Sequence, residues 1–425
     1  MHTKRRILVS LLLRLLGSFT LANVVLLWVP MSPGWLIGVL AVGLVAFMLS
    51  PGRLLPLAAS LTATTIVLEV MVRFGVGGLT PYYRPHERLA LDTSYRPNQR
   101  VEMEVPHGDL LAIDPALSTT LAAPRREVFV TDSLGYRNSR DYGGTRLVLV
   151  GDSFLVGTET TLVDTLKAEH DADAYNLSFA SIGPLIYADK VRWARRQFGN
   201  DTCVVLFFFE GNDFQLVDPV ELAQRRAVPR ELQLAAKTYI QAVRGISEWS
   251  KAFLGISTRA GEMLRRRDDQ TTTTPDRTTF TRAVANVPVA FLDGYADVVR
   301  RPKFDDHGFV SGQLAQAPPD LVFFIPDKFR VYGPLLDENA ESVLPHAQWN
   351  YLRAATDALG IPAVDLTAAM VERSRELATQ GLLTFWPDDT HWNRHGEAVA
   401  ARIFLETLQS SAPEKCSAAI RPVSR

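Results

Sequence analysis

Cysteine is almost absent: the 425-residue chain has two, Cys203 in an apolar run and Cys416 in a polar tail. That excludes a disulfide-rich scaffold and a cysteine metal cluster, and both thiols are expected to stay unpaired. Neither sign of charge prevails, since 45 Lys and Arg stand against 46 Asp and Glu. A chain-wide basic field is therefore missing, and no nucleic-acid partner is expected. The polar, aliphatic-poor composition of a disordered chain is missing too. With 47% hydrophobic and 21% charged residues, the sequence can build a real core. No metal or cofactor is called for.

The hydrophobic residues are unevenly placed. Within the first 75 residues, "ILVSLLLRLLGSFTLANVVLLWV", "WLIGVLAVGLVAFML" and "LLPLAASLTATTIVLEVMV" follow one another with short breaks. The first and third approach the roughly 20 residues that a bilayer crossing needs, and the second is shorter. Three membrane spans over 1–75 are expected, the first being too long for a signal-peptide core. Lys4, Arg5 and Arg6 precede the first span and Arg53 sits between the second and third, whereas "PMSPG" carries no charge. The positive-inside rule then puts the N-terminus in the cytoplasm and everything after about residue 75 on the outer side. A multi-pass protein of the cytoplasmic (inner) membrane is expected, its catalytic domain facing the periplasm or cell exterior.

Residues 76–145 read as a linker and a small β-rich cap, because they mix Pro, Gly and short alternating runs such as "RVEMEV" and "REVFVT". From residue 146 the pattern changes. "RLVLV", "AYNLSF", "CVVLFFF", "LVFFIP" and "IPAVDL" are short apolar runs separated by amphipathic stretches, which argues an α/β domain over 146–412 with a parallel sheet covered on both faces. A helical insertion at about 214–316 contains "PRELQLAAKTYIQAVRGISEWSKAFL" and a polar loop with Arg265, Arg266 and Arg267, read as a solvated charge run. A flexible tail is expected over 413–425.

In a doubly wound sheet, ligands bind beyond the carboxyl ends of the strands. The run "LVLV" is followed by Gly151, Asp152 and Ser153, either a capped strand-to-helix turn or an elbow that lifts a serine hydroxyl. After "AYNLSF" comes Ser181, after "VVLFFF" come Asn212 and Asp213, and near the C-terminus "WPDDTHWNRHG" supplies Asp388, Asp389 and His391. Their joint placement around one edge favours the elbow.

On these blocks the chain resembles the SGNH, or GDSL-type, hydrolase family across about residues 130–410. "GDSF" is similar to its nucleophile block, "GND" at Gly211 to Asp213 to its Asn block, and "DDTH" at Asp388 to His391 to its Asp-x-x-His block. "TDSLGYRN" resembles a stretch that precedes the nucleophile in members acting on envelope polysaccharides. Ser181 departs from the pattern, standing where the family has Gly. The resemblance implies a three-layer, flavodoxin-like SGNH domain.

The chemistry follows from the side chains. His391 can take the Ser153 proton and a carboxylate can orient the imidazole. Asp388 has the usual family spacing and is preferred; Asp389 resembles the Asp-x-His of alginate-acetylating relatives. Backbone N–H groups of Ser153 and Ser181 and the Asn212 amide are the oxyanion candidates, Asn212 being equally suited to holding its own loop. His395 reads as structural. Lys328, Arg330 and Tyr332 in "IPDKFRVYG" are candidates for substrate contacts or salt bridges, and Trp386 and Trp392 for core packing, with either also a candidate to stack on a sugar. The expectation is a membrane-anchored serine esterase or O-acyltransferase acting on acetyl esters of a cell-envelope carbohydrate, with a membrane acyltransferase as possible partner. A lipase or thioesterase, and a silent polysaccharide-binding protein, stay open.

Overall fold

The computed structural model describes residues 93–114, 117, 119–214, 279–302, 309–336 and 344–419. The three N-terminal apolar runs, the stretch from Pro229 expected to be helical, and Arg265 to Arg267 lie outside them. Among the described residues no helix is long and apolar enough to cross a membrane.

The chain first forms an antiparallel pair, β1 (Arg100–Val105) and β2 (Arg125–Val130), with α1 (Asp109–Ile113) between them. Then the sheet begins: β3 (Leu147–Val150), α2 (Ser153–Val156), α3 (Leu162–His170), β4 (Tyr175–Asn176), α4 (Pro184–Phe198) and β5 (Cys203–Phe209). A hairpin follows, β6 (Thr279–Val284) and β7 (Val287–Leu292), with α5 (Asp293–Arg300) and α6 (Phe309–Gln316). The described part of the expected helical insertion therefore includes a β-hairpin. Its turn runs through Ala285 and Asn286, both at positive φ, the twist that short hairpin turns require. The chain closes with β8 (Leu321–Ile325), α7 (Lys328–Leu336), α8 (Ala347–Ala358), β9 (Ala363–Asp365), α9 (Thr367–Ala378), α10 (Arg394–Ser410) and α11 (Glu414–Ala419).

Five parallel strands pair in the order β4-β3-β5-β8-β9. Counted along the chain that is 2-1-3-4-5, the flavodoxin-like winding, whose switch point lies between β3 and β5. Alternation explains why β3, β5 and β8 each read as an unbroken apolar run. Leu147, Leu149, Val205, Phe207 and Phe323 pack on one side against residues of α3, α7, α9 and α10. Val148, Val150, Leu206, Phe208 and Phe324 pack on the other against α4, α6 and α8. Both faces are thus buried.

The cysteines are a correction. Cys203, at the start of β5, is joined to Cys416 across 213 residues of sequence. The expected flexible tail forms α11 through Ala419, and Cys416 is fully buried. A pair so far apart in sequence, one member in a polar stretch, leaves no local signal.

Candidate active site

The serine is lifted by a short turn at the end of β3. Gly151 belongs there because a Cβ would lie 2.9 Å from Leu155 Cδ1 and 3.3 Å from Phe207 Cβ. Asp152 caps α2 by accepting from Phe154 N at 3.0 Å, so Ser153 is the first residue of the helix and only half-buried. The capped turn and the elbow are one structure.

The turn is held from below by "TDSLGYRN". Arg137 is buried and donates to the carbonyls of Val156, Gly157 and Thr158, just past α2, and to Val128. A cation at a helix C-terminus meets the negative end of its dipole. Asp132 accepts from Leu134 N, Tyr136 N, Asn138 Nδ2 and the Tyr175 hydroxyl, tying the same stretch to β4.

Opposite Ser153, the chain from Phe385 to Trp392 closes on itself through a bridge between these two residues, with Trp386 N donating to His391 O. Within this loop, His391 Nε2 lies 2.7 Å from Ser153 Oγ and His391 Nδ1 lies 2.6 Å from Asp389 Oδ1. Asp389, fully buried, is the carboxylate beside the imidazole. Asp388, preferred on spacing, faces the other way: its Oδ2 accepts from Gly108 N at 2.6 Å and Ala123 N at 2.9 Å. The reason is the narrow turn, in which adjacent residues point to opposite sides. Facing Asp389, Nδ1 carries the proton and Nε2 is left to accept from the serine hydroxyl.

Sequence reasoning missed what surrounds Asp389. Its Oδ2 receives Arg125 Nη2 at 2.5 Å and Asp109 N at 3.2 Å. Asp109 accepts from Thr390 N and Oγ1 and lies 3.7 Å from His391 Nδ1. Gly108 sits so close that a Cβ would come within 2.2 Å of Asp388 O. All three belong to the segment before the sheet. Without a motif, only the buried-strand pattern of "REVFV" hinted that Arg125 points inward.

The proposed substrate contacts are corrected as a group. Lys328 is buried, and its Nζ donates to the carbonyls of Ala290, Trp386, Pro387 and Asp389. Burial lowers its pKa to about 8, against the pull of Asp389 and the other acids nearby. Arg330 forms a bidentate pair with Glu210. The Tyr332 hydroxyl accepts from Thr384 N and Phe385 N. Trp392 is 2% exposed and packs edge-on against Phe154. Lys328 and Tyr332 thus hold the loop, and Arg330 ties α7 to Glu210 and Pro345 O, because α7 packs inward over its whole first turn. Trp386 donates to Thr158 Oγ1 and lies under Arg125. His395 is half-buried beside Asn393, which caps α10.

The oxyanion candidates flank Ser153. Leu177 N and Phe179 N donate to Leu149 O and Gly151 O, which draws the loop bearing Ser181 alongside the nucleophile turn. Ser181 has φ of +60°, the region that glycine favours. Asn212 follows β5, the other neighbour of β3, and its Oδ1 is buried without a hydrogen-bond partner. Next to it, Asp213 accepts from Phe209 N and the Tyr187 hydroxyl.

No curated protein matches the chain. Residues 310–419, from α6 through the Asp389 and His391 loop to α11, match the family model described as the SGNH hydrolase-like domain of the acetyltransferase AlgX, and this part of the chain is of that type.

Proposed function

We propose that the protein is a serine O-acetyltransferase that moves an acetyl group through Ser153 onto a hydroxyl of an exported or cell-envelope polysaccharide. The observation that carries this is the continuous contact from Ser153 Oγ to His391 to Asp389 at 2.7 Å and 2.6 Å, in a chain whose C-terminal part is similar to an acetyltransferase domain.

His391 Nε2 takes the Ser153 proton as Oγ attacks the donor carbonyl. The charge that develops on the carbonyl oxygen falls to the N–H groups of Ser153 and Ser181 and the amide of Asn212, each such donor contributing about 3 kcal/mol of barrier lowering. The imidazolium, oriented by Asp389, returns the proton to the leaving group and an acetyl-serine remains. A sugar hydroxyl then gives its proton to Nε2 and attacks the acetyl carbon, the bond from that carbon to Ser153 Oγ breaks, and Oγ takes the proton back from Nε2; water arriving instead makes the same site an esterase.

Two features support placement outside the cytoplasm: the charge asymmetry of the N-terminal apolar runs and the Cys203–Cys416 disulfide, a bond that persists in oxidising compartments. An activated acetyl group would then come from a membrane acyltransferase.

The test is to incubate full-length protein with 4-nitrophenyl acetate, quench in acid and locate acetyl groups by mass spectrometry. One acetyl on Ser153, absent in Ser153→Ala and reduced in His391→Ala, supports the reading. Acetylation elsewhere with Ser153 unmodified rejects it.

A further inference from the structure

Asp389 divides its two oxygens between two partners. Oδ1 holds the imidazole, and Oδ2 holds the Arg125 guanidinium at 2.5 Å. Arg125 is itself enclosed: its side chain is 1% exposed, Nε lies 3.4 Å from Glu127 Oε1, Nη1 lies 3.7 Å from Asp388 Oδ1, and the guanidinium stacks 4.6 Å from the centre of the Trp386 ring. Such a cage suits a flat fork and not a point charge. A buried carboxylate without a cation is costly. With only the imidazole as partner, the carboxylate would hold the imidazole proton strongly, and the base would be occupied at the start of the reaction.

We infer that Arg125 is a positioning residue for the Ser153, His391 and Asp389 relay: by binding the far oxygen of Asp389 it fixes that carboxylate and weakens its hold on the His391 proton, so the base is free at lower pH. The inference rests on the reading of Ser153 as the nucleophile. It also gives the segment before the sheet a part in the chemistry, since Arg125 lies on β2. Besides Asp389, the described residues facing His391 include Asp109, Thr390 and Ser153, with Asp152 within electrostatic reach. Lys328 acts on Asp389 from α7, and Glu127, Asp388 and Glu159 act on Arg125. Among the described residues, Arg125 is the only Lys or Arg side chain with an ion pair to the triad carboxylate.

The experiment measures the rate at which an alkyl fluorophosphonate modifies Ser153 in the full-length protein, from about pH 5 to 9, with the labelled serine identified by mass spectrometry. Arg125→Gln is expected to move the acid limb up by about one pH unit, a further tenfold loss at acid pH beyond any drop in the plateau. Arg125→Lys should leave the limb in place while lowering the plateau. Glu127→Gln removes a carboxylate that competes for the guanidinium and should move the limb down by a few tenths of a unit. If Arg125→Gln does not fold, as a lost melting transition would reveal, Glu127→Gln carries the test. A lowered plateau with unmoved limbs in both variants overturns the inference. Failure of the wild-type protein to be labelled on Ser153 at any pH overturns the proposed function instead.

Discussion

Replacing Asp389 by asparagine removes the acceptor of the imidazole proton while leaving the volume of the side chain intact. The amide can keep an oxygen toward His391 Nδ1 only by turning its NH2 toward Arg125, 2.5 Å from the present Oδ2, where two donors collide. The opposite rotamer satisfies Arg125 but presents NH2 to Nδ1, which favours the tautomer that cannot accept the Ser153 proton. Either way the relay fails. A triad carboxylate replaced in this manner lowers kcat by about four orders of magnitude, or ~5 kcal/mol of barrier. Asp388→Asn is the control. Its Oδ2 accepts from Gly108 N at 2.6 Å and Ala123 N at 2.9 Å, and an amide oxygen can take over both bonds. Losing charge assistance there should cost about 1–2 kcal/mol of stability and leave kcat within about tenfold. The assay is acetyl-ester turnover and thermal melting on the same preparations. A more damaged Asp388→Asn, or an Asp389→Asn variant within tenfold of wild type, would refute the assignment of the carboxylate.

Asn212→Ala should lower kcat by about 100-fold to 1,000-fold with KM little changed; a lowered melting temperature with modest changes in both constants would make Asn212 a loop residue. Gly108→Ala, whose Cβ would meet Asp388 O at 2.2 Å, should reduce turnover by displacing the Asp389 loop, and normal kinetics would show that the loop is not held from that side. Replacing Cys203 and Cys416 together by alanine should lower stability by about 2–5 kcal/mol, since the bond closes a loop spanning 213 residues of sequence; kcat should be nearly unchanged because Cys203 is at the end of β5 away from the site. Buried Glu397 has its pKa raised from 4.5 to about 7, chiefly by burial, with Thr160 and Thr165 as hydrogen-bond donors. The folded state therefore binds more protons than the unfolded chain between these values, and the contribution of Glu397 is present below about 4.5 and lost as pH rises through 7. Glu397→Gln should flatten this part of the curve of stability against pH, and an unchanged slope would assign it to another group.

The three central strands, β3, β5 and β8, were legible because a strand buried on both faces must be apolar at every position, and "CVVLFFF" has no other reading in a chain that folds. Ser153 and His391 were legible because each follows or precedes an element whose edge is marked by Gly or Asn. The choice between Asp388 and Asp389 was not. Spacing counts residues, while the geometry depends on how the Phe385 to Trp392 loop turns, and that is set by Lys328 and by backbone donors from Gly108 and Asp109. The same limit affects "IPDKFRVYG": the inward rotation of α7 turns Lys328 and Tyr332 into supports of the loop and sends Arg330 to Glu210. Long-range partners such as Arg125 or Cys416 have no local signature, since their meaning comes from residues more than 200 positions away.

Three carboxylates, Asp389, Asp152 and Asp213, lie beneath or beside the nucleophile, and their surroundings separate their roles. Asp389 has Arg125 on one oxygen and His391 on the other, so its charge is matched inside the protein. Asp152 and Asp213 have no Lys or Arg of the described residues as an ion-pair partner, and each keeps one buried oxygen without a hydrogen bond. Burial raises Asp152 to about 6, against the pull of Phe154 N and His391, and burial together with the nearby Asp152 holds Asp213 well above the usual carboxylate range. The consequence for acyl transfer is direct. An oxyanion forming between Ser153 N and Asn212 would be destabilised by an ionised Asp213 beside it, whereas neutral Asp213 still anchors the Asn212 loop through Phe209 N and Tyr187. Environments that push like groups apart in this way set a charged orienting group, Asp389, against a neutral support, Asp213. Asp213→Asn, which keeps the shape and removes the titration, should accordingly retain most of kcat near neutral pH, and a loss of 100-fold or more in a folded variant would show that the charge of Asp213 is needed.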